Sequence, residues 1–228
     1  MKDEIFHWKG FQWYVWSKVD KVLMQHPISE YHPDMVSMYK DVLCLDMRKR
    51  DNIYQCGHVS TIEAIKYGTL EINYKLPRGY GMYTNITLTG NNASDAIGML
   101  LAKSGKRIGH ELKMKGLYSS WLNPFTYNIT PFLLSNYKDN LRGTTPKWYF
   151  NDLDYFDNNC KLEWTKERVR VWYNGHKVMD VKNKNVIDRL NSTDGLFLHL
   201  VCNPTNYAPD NGHCWDTPFL ILDVKYNN

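Results

Sequence analysis

At 228 residues with 43% hydrophobic content, the chain is long for an average domain but ordinary for one all-β unit with a full core. The net charge of +4 is scattered among 24 acidic residues, with no basic stripe to follow phosphates, which excludes nucleic acid as the natural partner. No apolar run approaches the roughly 18 residues that cross a bilayer, so no membrane insertion is expected.

Taken in chain order, the pattern has period two almost throughout. The basic cluster Arg48-Lys49-Arg50 reads as a solvated turn between strands. Residues 69–76 alternate cleanly, with Leu70, Ile72, Tyr74 and Leu76 on one face, and Pro77-Arg78-Gly79 ends the run. A second strand covers 82–89 and closes at Gly90. A third, 96–102, is almost wholly apolar and therefore buried on both faces; 108–115 follows as its hairpin partner. Residues 119–145 carry Pro124, Pro131 and Gly143 and form one elaborated loop, of the kind that is usually functional. Within it, 131–136 reads as one helical turn.

The strongest local signal comes next. Arg168-Val169-Arg170-Val171-Trp172-Tyr173 runs through Asn174-Gly175 into His176-Lys177-Val178-Met179-Asp180-Val181. Two alternating runs joined by Asn-Gly predict a two-residue hairpin, because both turn residues need φ > 0. Residues 183–190 predict a short helical turn, and 196–202 and 219–226 the last strands, the final one burying Leu220, Leu222, Val224 and Tyr226. Trp164 and Trp172 read as core packing. Short strands at regular spacing, with no repeat and no linker, predict a single domain over 1–228 built as a two-sheet antiparallel β-sandwich.

Metal and nucleophile signals are weak. The cysteines (Cys44, Cys56, Cys160, Cys202, Cys214) have no metal spacing, and their odd number leaves at least one thiol without an intrachain partner. Cys44 with Cys56, and Cys202 with Cys214, are pairings the strand order allows. His26, His32 and His58 are dispersed, and no cofactor is expected. Asn85-Ile86-Thr87, Asn92-Ala93-Ser94, Asn128-Ile129-Thr130 and Asn191-Ser192-Thr193 are formal glycosylation sequons of the sort that arise by chance in an Asn-rich chain. The start, Met1-Lys2-Asp3-Glu4, shows no apolar leader; an extracellular or particle-surface location remains compatible with it.

Several segments, in order, resemble glycoside hydrolase family sixteen and its concanavalin A-like jelly-roll relatives. Trp13-Tyr14-Val15 is similar to the family's opening strand, and Cys56-Gly57-His58-Val59-Ser60 to its Ser-Gly-x-Val entry to a strand. Tyr67-Gly68-Thr69-Leu70-Glu71, continuing to Lys75 and Pro77, resembles its Tyr-Gly-x-x-Glu stretch. Glu163-Trp164-Thr165 through Asn174-Gly175 resembles its Glu-Trp-Thr strand and hairpin, and 198–203 and 222–226 its last core strands. The resemblance implies a jelly roll with a glycan cleft. It also implies a catalytic strand reading Glu-x-Asp-x-Glu, or the same with one bulge residue, whose alternate carboxylates reach one cleft about 5 Å apart.

The matching strand here reads Asn92-Ala93-Ser94-Asp95-Ala96-Ile97-Gly98-Met99-Leu100-Leu101. Strict alternation puts Asp95, Ile97 and Met99 on one face and Ser94, Ala96, Gly98 and Leu100 on the other. Neither face has a carboxylate pair, so no catalytic residue is assigned, with Asp95 and Glu111 as the fallback dyad. Glu71 and Glu163 read as structural. The remaining expectation is a glycan-binding module with oligo- or polysaccharide on Tyr83, Asn85, Asp95, His110, Trp121, Trp148 and Trp215. Aromatic rings supply flat apolar surface for sugar faces, and Asn, Asp and His supply hydrogen bonds. Two alternatives stand beside it: a particle-surface or assembly protein using the sandwich for protein contacts, and an active glycoside hydrolase with a rebuilt acid pair.

Overall fold

The computed structural model describes residues 5–17, 29–77, 82–90, 95–104, 127–129, 132–134, 148–150, 157–204 and 217–228. The amino-terminal part forms β1 (Ile5–Trp8), β2 (Phe11–Val15), β3 (Ser29–Tyr31), β4 (Val36–Tyr39), β5 (Val42–Leu45), β6 (Met47–Arg50), β7 (Ile53–Cys56) and β8 (His58–Thr61). The middle contains β9 (Gly68–Lys75), β10 (Met82–Thr89), β11 (Ala96–Ser104), β12 (Tyr127–Ile129), β13 (Phe132–Leu134) and β14 (Trp148–Phe150). The remainder comprises β15 (Asn158–Trp164), β16 (Val169–Tyr173), β17 (His176–Val181), helix α1 (Lys184–Asn191), β18 (Phe197–Pro204) and β19 (Phe219–Asn227).

Among the described residues these strands make a jelly-roll sandwich of two large antiparallel sheets. The larger runs β1-β2-β8-β18-β10-β11-β12-β14, with β13 also paired to β11; the smaller runs β17-β16-β15-β9-β19-β5-β4. A minor sheet, β3-β7-β6, sits beside them. One continuous apolar cluster fills the space between the large sheets: Trp13, Val59, Ile86, Leu88, Leu198 and Leu200 from one, and Leu70, Ile72, Tyr74, Leu162, Trp164 and Val171 from the other. Period two explains the assignment, since each of these alternates along its strand with a residue turned away from the core. The alternation expected of β9 is observed, with Leu70, Ile72, Tyr74 and Leu76 all buried. Gly57 joins β7 to β8 where a Cβ would come within 2.5 Å of the Met35 carbonyl, so the crossing of chain segments there demands glycine.

The Asn174-Gly175 hairpin forms as the sequence predicts. Tyr173 pairs with His176 across a two-residue turn with φ of 47° at Asn174 and 79° at Gly175. A β-branched residue resists such a φ, so Gly175→Val should lose about 1 kcal/mol or more in urea denaturation; an unchanged midpoint would contradict this. The helical turn predicted at 183–190 is α1, whose N-cap Asn183 accepts from the backbone N–H of Asn185 at 3.1 Å and Val186 at 3.4 Å.

Five expectations are corrected. Arg48-Lys49-Arg50 is not a turn but part of β6, paired with Gln55, Tyr54 and Ile53 of β7. Residues 132–134 are strand, not helix: they pair with 96–98 of β11, and tertiary pairing outweighs the local helix signal. In β19 the ladder to β9 shifts between Ile221 and Asp223, so Phe219 and Ile221 are buried before the shift and Val224 after it, while Leu220 and Leu222 are only half-buried. Trp172 lies outside the core, on the outer face of the smaller sheet. Lys161 Nζ stands 5.7 Å from its ring centroid, and the Arg170 guanidinium 5.4 Å. Cys44 and Cys56 are separate thiols rather than a disulfide; Cys214, like the strand expected at 108–115, lies outside the described residues. Glu71 and Glu163 are paired with Lys161 and Arg170 respectively.

Candidate glycan-binding face

The register of β11 decides what its surface presents. Leu88 pairs with Ile97 and Thr87 with Gly98, but Ile86 pairs with Leu100, so Met99 is an extra residue. This is a β-bulge, and it breaks strict alternation. Met99 and Leu100 both enter the core cluster. Beyond the bulge Leu101 is the partner of Asn85. The positions that share the face away from the core are therefore 96, 98 and 101, rather than 96, 98 and 100. They are occupied by Ala96, Gly98 and Leu101, none of them an acid.

Asp95 is committed elsewhere. It is 9% exposed, and its Oδ1 accepts from Arg189 Nε of α1 at 2.8 Å. That ion pair ties the start of β11 to the helix. β11 itself contains no acid, and the aspartate that precedes it is bonded to the helix.

The same face carries a different constellation further along the sheet. Thr87 pairs with His199 and His199 with Ser60; Val201 pairs with His58 and Ser60 with Tyr14. Facing pairs in adjacent strands point to the same side, which gathers Tyr14, His58, Ser60, Asn85, Thr87 and His199. His58 Nε2 and His199 Nδ1 are 2.9 Å apart. The Trp16 indole stacks flat on His58, with centroids 4.9 Å apart and planes 4° from parallel, and Trp16 Nε1 donates to Ser60 Oγ at 3.0 Å. Tyr31 closes the other side edge-on at 4.4 Å. Thr87 donates its hydroxyl to Asn85 Oδ1, so this sequon is part of the face. Burial pushes His199 down to about 4. Burial, and secondarily the neighbouring His199, holds His58 well below the usual imidazole range. Both rings are neutral near pH 7.

Of the residues proposed from sequence, Asn85 lies on this face. Asp95 is turned to α1, at a distance in function from the others. Tyr83 and Trp148 are placed as backbone positions of β10 and β14, with Tyr83 paired to Lys103 and Asn203, and Trp148 to Ile129. His110, Glu111, Trp121 and Trp215 lie outside the described residues. Sequence reading missed Trp16, Tyr31 and His199, and took His58 for an isolated polar residue. The available signal was parity: His58 and His199 each sit one step from buried Val59, Leu198 and Leu200. Among the described residues no group of three His, Cys, Asp or Glu is placed to hold a metal ion, and no helix is long and apolar enough to cross a membrane.

No protein-family model matches the sequence, and no curated protein matches it. Solved structures do. A non-specific endo-β-1,3(4)-glucanase from family GH16, co-crystallised with a glucan oligosaccharide, aligns with a TM-score of 0.66 at 19% identity over 95% of this chain and 88% of its own. The GH16 protein of a Bacteroides ovatus mixed-linkage glucan locus, in complex with product, gives 0.66 at 14% identity, covering 100% and 98%. The Bacillus licheniformis β-glucanase gives 0.65 at 11% identity, covering both chains in full. At these identities the likeness establishes the fold: a jelly roll of the GH16 kind.

Proposed function

We propose that this chain is a glycan-binding module on a glycoside hydrolase scaffold, holding an oligo- or polysaccharide on the outer face of its larger sheet without cleaving it. The observation that carries the reading is the bulge register of β11, which sets Ala96, Gly98 and Leu101 at the spacing where the resemblance calls for carboxylates. The GH16 likeness of the fold supports a sugar over other small ligands. So does the grouping of Trp16, Tyr14 and Tyr31 with hydroxyl, amide and imidazole groups. Trp121 and Trp215 remain the proposed aromatic edges of the site, and Tyr83, His110 and Trp148 its proposed further contacts.

The test is calorimetric titration against soluble glycans, mixed-linkage β-glucan oligosaccharides first, with a reducing-end assay alongside. Wild type should bind and release no new ends. Trp16→Ala, Trp121→Ala and Trp215→Ala should each weaken binding by about 1–3 kcal/mol, the scale of a large apolar side chain. Hydrolysis abolished by Asp95→Asn or Glu111→Gln would replace this reading with that of an active enzyme. No glycan binding, with cross-linking of the same tryptophans to a protein neighbour, would replace it with an assembly role.

A further inference from the structure

The His58–His199 pair allows the ligand-facing chemistry of this site to be specified, on the basis of the glycan-binding reading above. Two neutral imidazoles carry two protons on four nitrogens, and one proton must lie between Nε2 of His58 and Nδ1 of His199, which are 2.9 Å apart. Two arrangements satisfy this. In the first, His58 keeps its proton on Nε2 and donates it, leaving its Nδ1 bare and forcing the proton of His199 onto Nε2. In the second, His199 donates from Nδ1, and His58 carries a proton on its own Nδ1.

His58 Nδ1 decides between them. It is buried and has no hydrogen-bond partner among the described residues, in a side chain that is only 7% exposed. An orphaned buried N–H is rarer than an under-used buried acceptor, so the arrangement with a bare Nδ1 wins. The stacked Trp16 and edge-on Tyr31 hold the plane of the ring, and a flip, which would put Cε1 in place of Nε2, would give up the contact with His199. We infer that His58 is a positioning residue that locks His199 in its Nε2–H tautomer, so that His199 serves as a hydrogen-bond donor to a ligand oxygen and is the specificity-determining residue of this face. Among the described residues neither histidine belongs to a metal-holding group, and neither lies on β11.

Long-range ¹H–¹⁵N spectra of histidine-labelled protein at pH 7 test the tautomers directly, with assignment from His58→Gln and His199→Gln. Both rings should be neutral and protonated at Nε2. His58→Phe removes the donor to His199 and should produce mixed tautomers of that ring, whereas His58→Gln offers an amide N–H and should restore the single form. With a mixed-linkage β-glucan oligosaccharide as probe, His199→Phe should bind about ten-fold more weakly, the value of one hydrogen bond, and His199→Gln should retain most of the affinity. A proton on His199 Nδ1, or a His199 spectrum indifferent to His58→Phe, would overturn the inference. Tautomers as assigned but no binding of any glycan would instead overturn the glycan reading and the donor role together.

Discussion

Unfolding free energy should fall by about 3 kcal/mol between pH 6.5 and pH 4 on account of His199 alone, and a variant lacking both histidines of the pair should lose that part of its pH dependence. Burial pushes His199 down to about 4, whereas an unfolded histidine titrates near 6.5, and each unit of difference is worth about 1.4 kcal/mol. The folded state resists the proton that the unfolded state accepts. The contribution is therefore complete above about pH 6.5, drains away as pH falls toward 4, and is constant below that. His58 adds to it in the same direction, because burial and then His199 depress it too. Carboxylates act in a lower window: Asp180, held down first by its bond from Arg168, and Asp41, held down first by Lys9, lose their contributions only as pH falls below the ordinary carboxylate range. Urea titrations of wild type and of His58→Phe/His199→Gln at pH 7, 5.5 and 4 separate the two windows. Parallel pH profiles for the two proteins would show that the pair does not carry acid sensitivity.

Arg189→Met should be the more damaging half of an asymmetric pair, costing about 2–3 kcal/mol, with Asp95→Asn costing about 1 kcal/mol. Asp95 is 9% exposed and Arg189 40% exposed. Removing the arginine leaves a buried carboxylate with its cation gone, whereas replacing the aspartate leaves a guanidinium already reaching water and an amide that still accepts its bond. The figure for Arg189 sits below the scale of a fully buried broken pair because this one opens to solvent. Chemical denaturation at pH 7 checks the order. Equal losses in the two variants would mean that the pair behaves as an ordinary surface contact. The same residue bears on the site, since Asp95 precedes β11 and its carbonyl accepts from Gly90 N–H at 2.9 Å, beside the ladder that pairs Thr87 with Gly98.

What could be read from the sequence was whatever is decided within a few residues. Asn174-Gly175 needs two positive φ values in succession, and few other dipeptides supply them. Residues 70–76 alternate without interruption, so their buried face was plain. The misreadings of which face a residue takes share one cause. In β11 and β19 an inserted residue shifts the parity, and a pattern counted in twos then names the wrong face for Leu100 and for Leu220 and Leu222. Trp172 was misread for a related reason: an aromatic in an alternating strand looks like core until the register shows it beside Lys161 and Arg170. The histidine pair was out of reach because it joins positions 141 residues apart, and only the order of strands brings β8 against β18.

The bulge in β11 also bears on how such a strand changes through descent. Losing one residue from a strand normally turns everything beyond it inside out. Met99 is an exception, since it is the residue without a cross-strand partner on β10. Deleting it would leave every neighbour paired as before, Gly98 with Thr87 and Leu100 with Ile86, at the cost of the void its own side chain fills. The two spacings attributed to this kind of strand, with and without the extra residue, are therefore one codon apart. Passage between them keeps the ladder intact, so a sheet of this shape tolerates at one point a change of length that strict alternation would forbid.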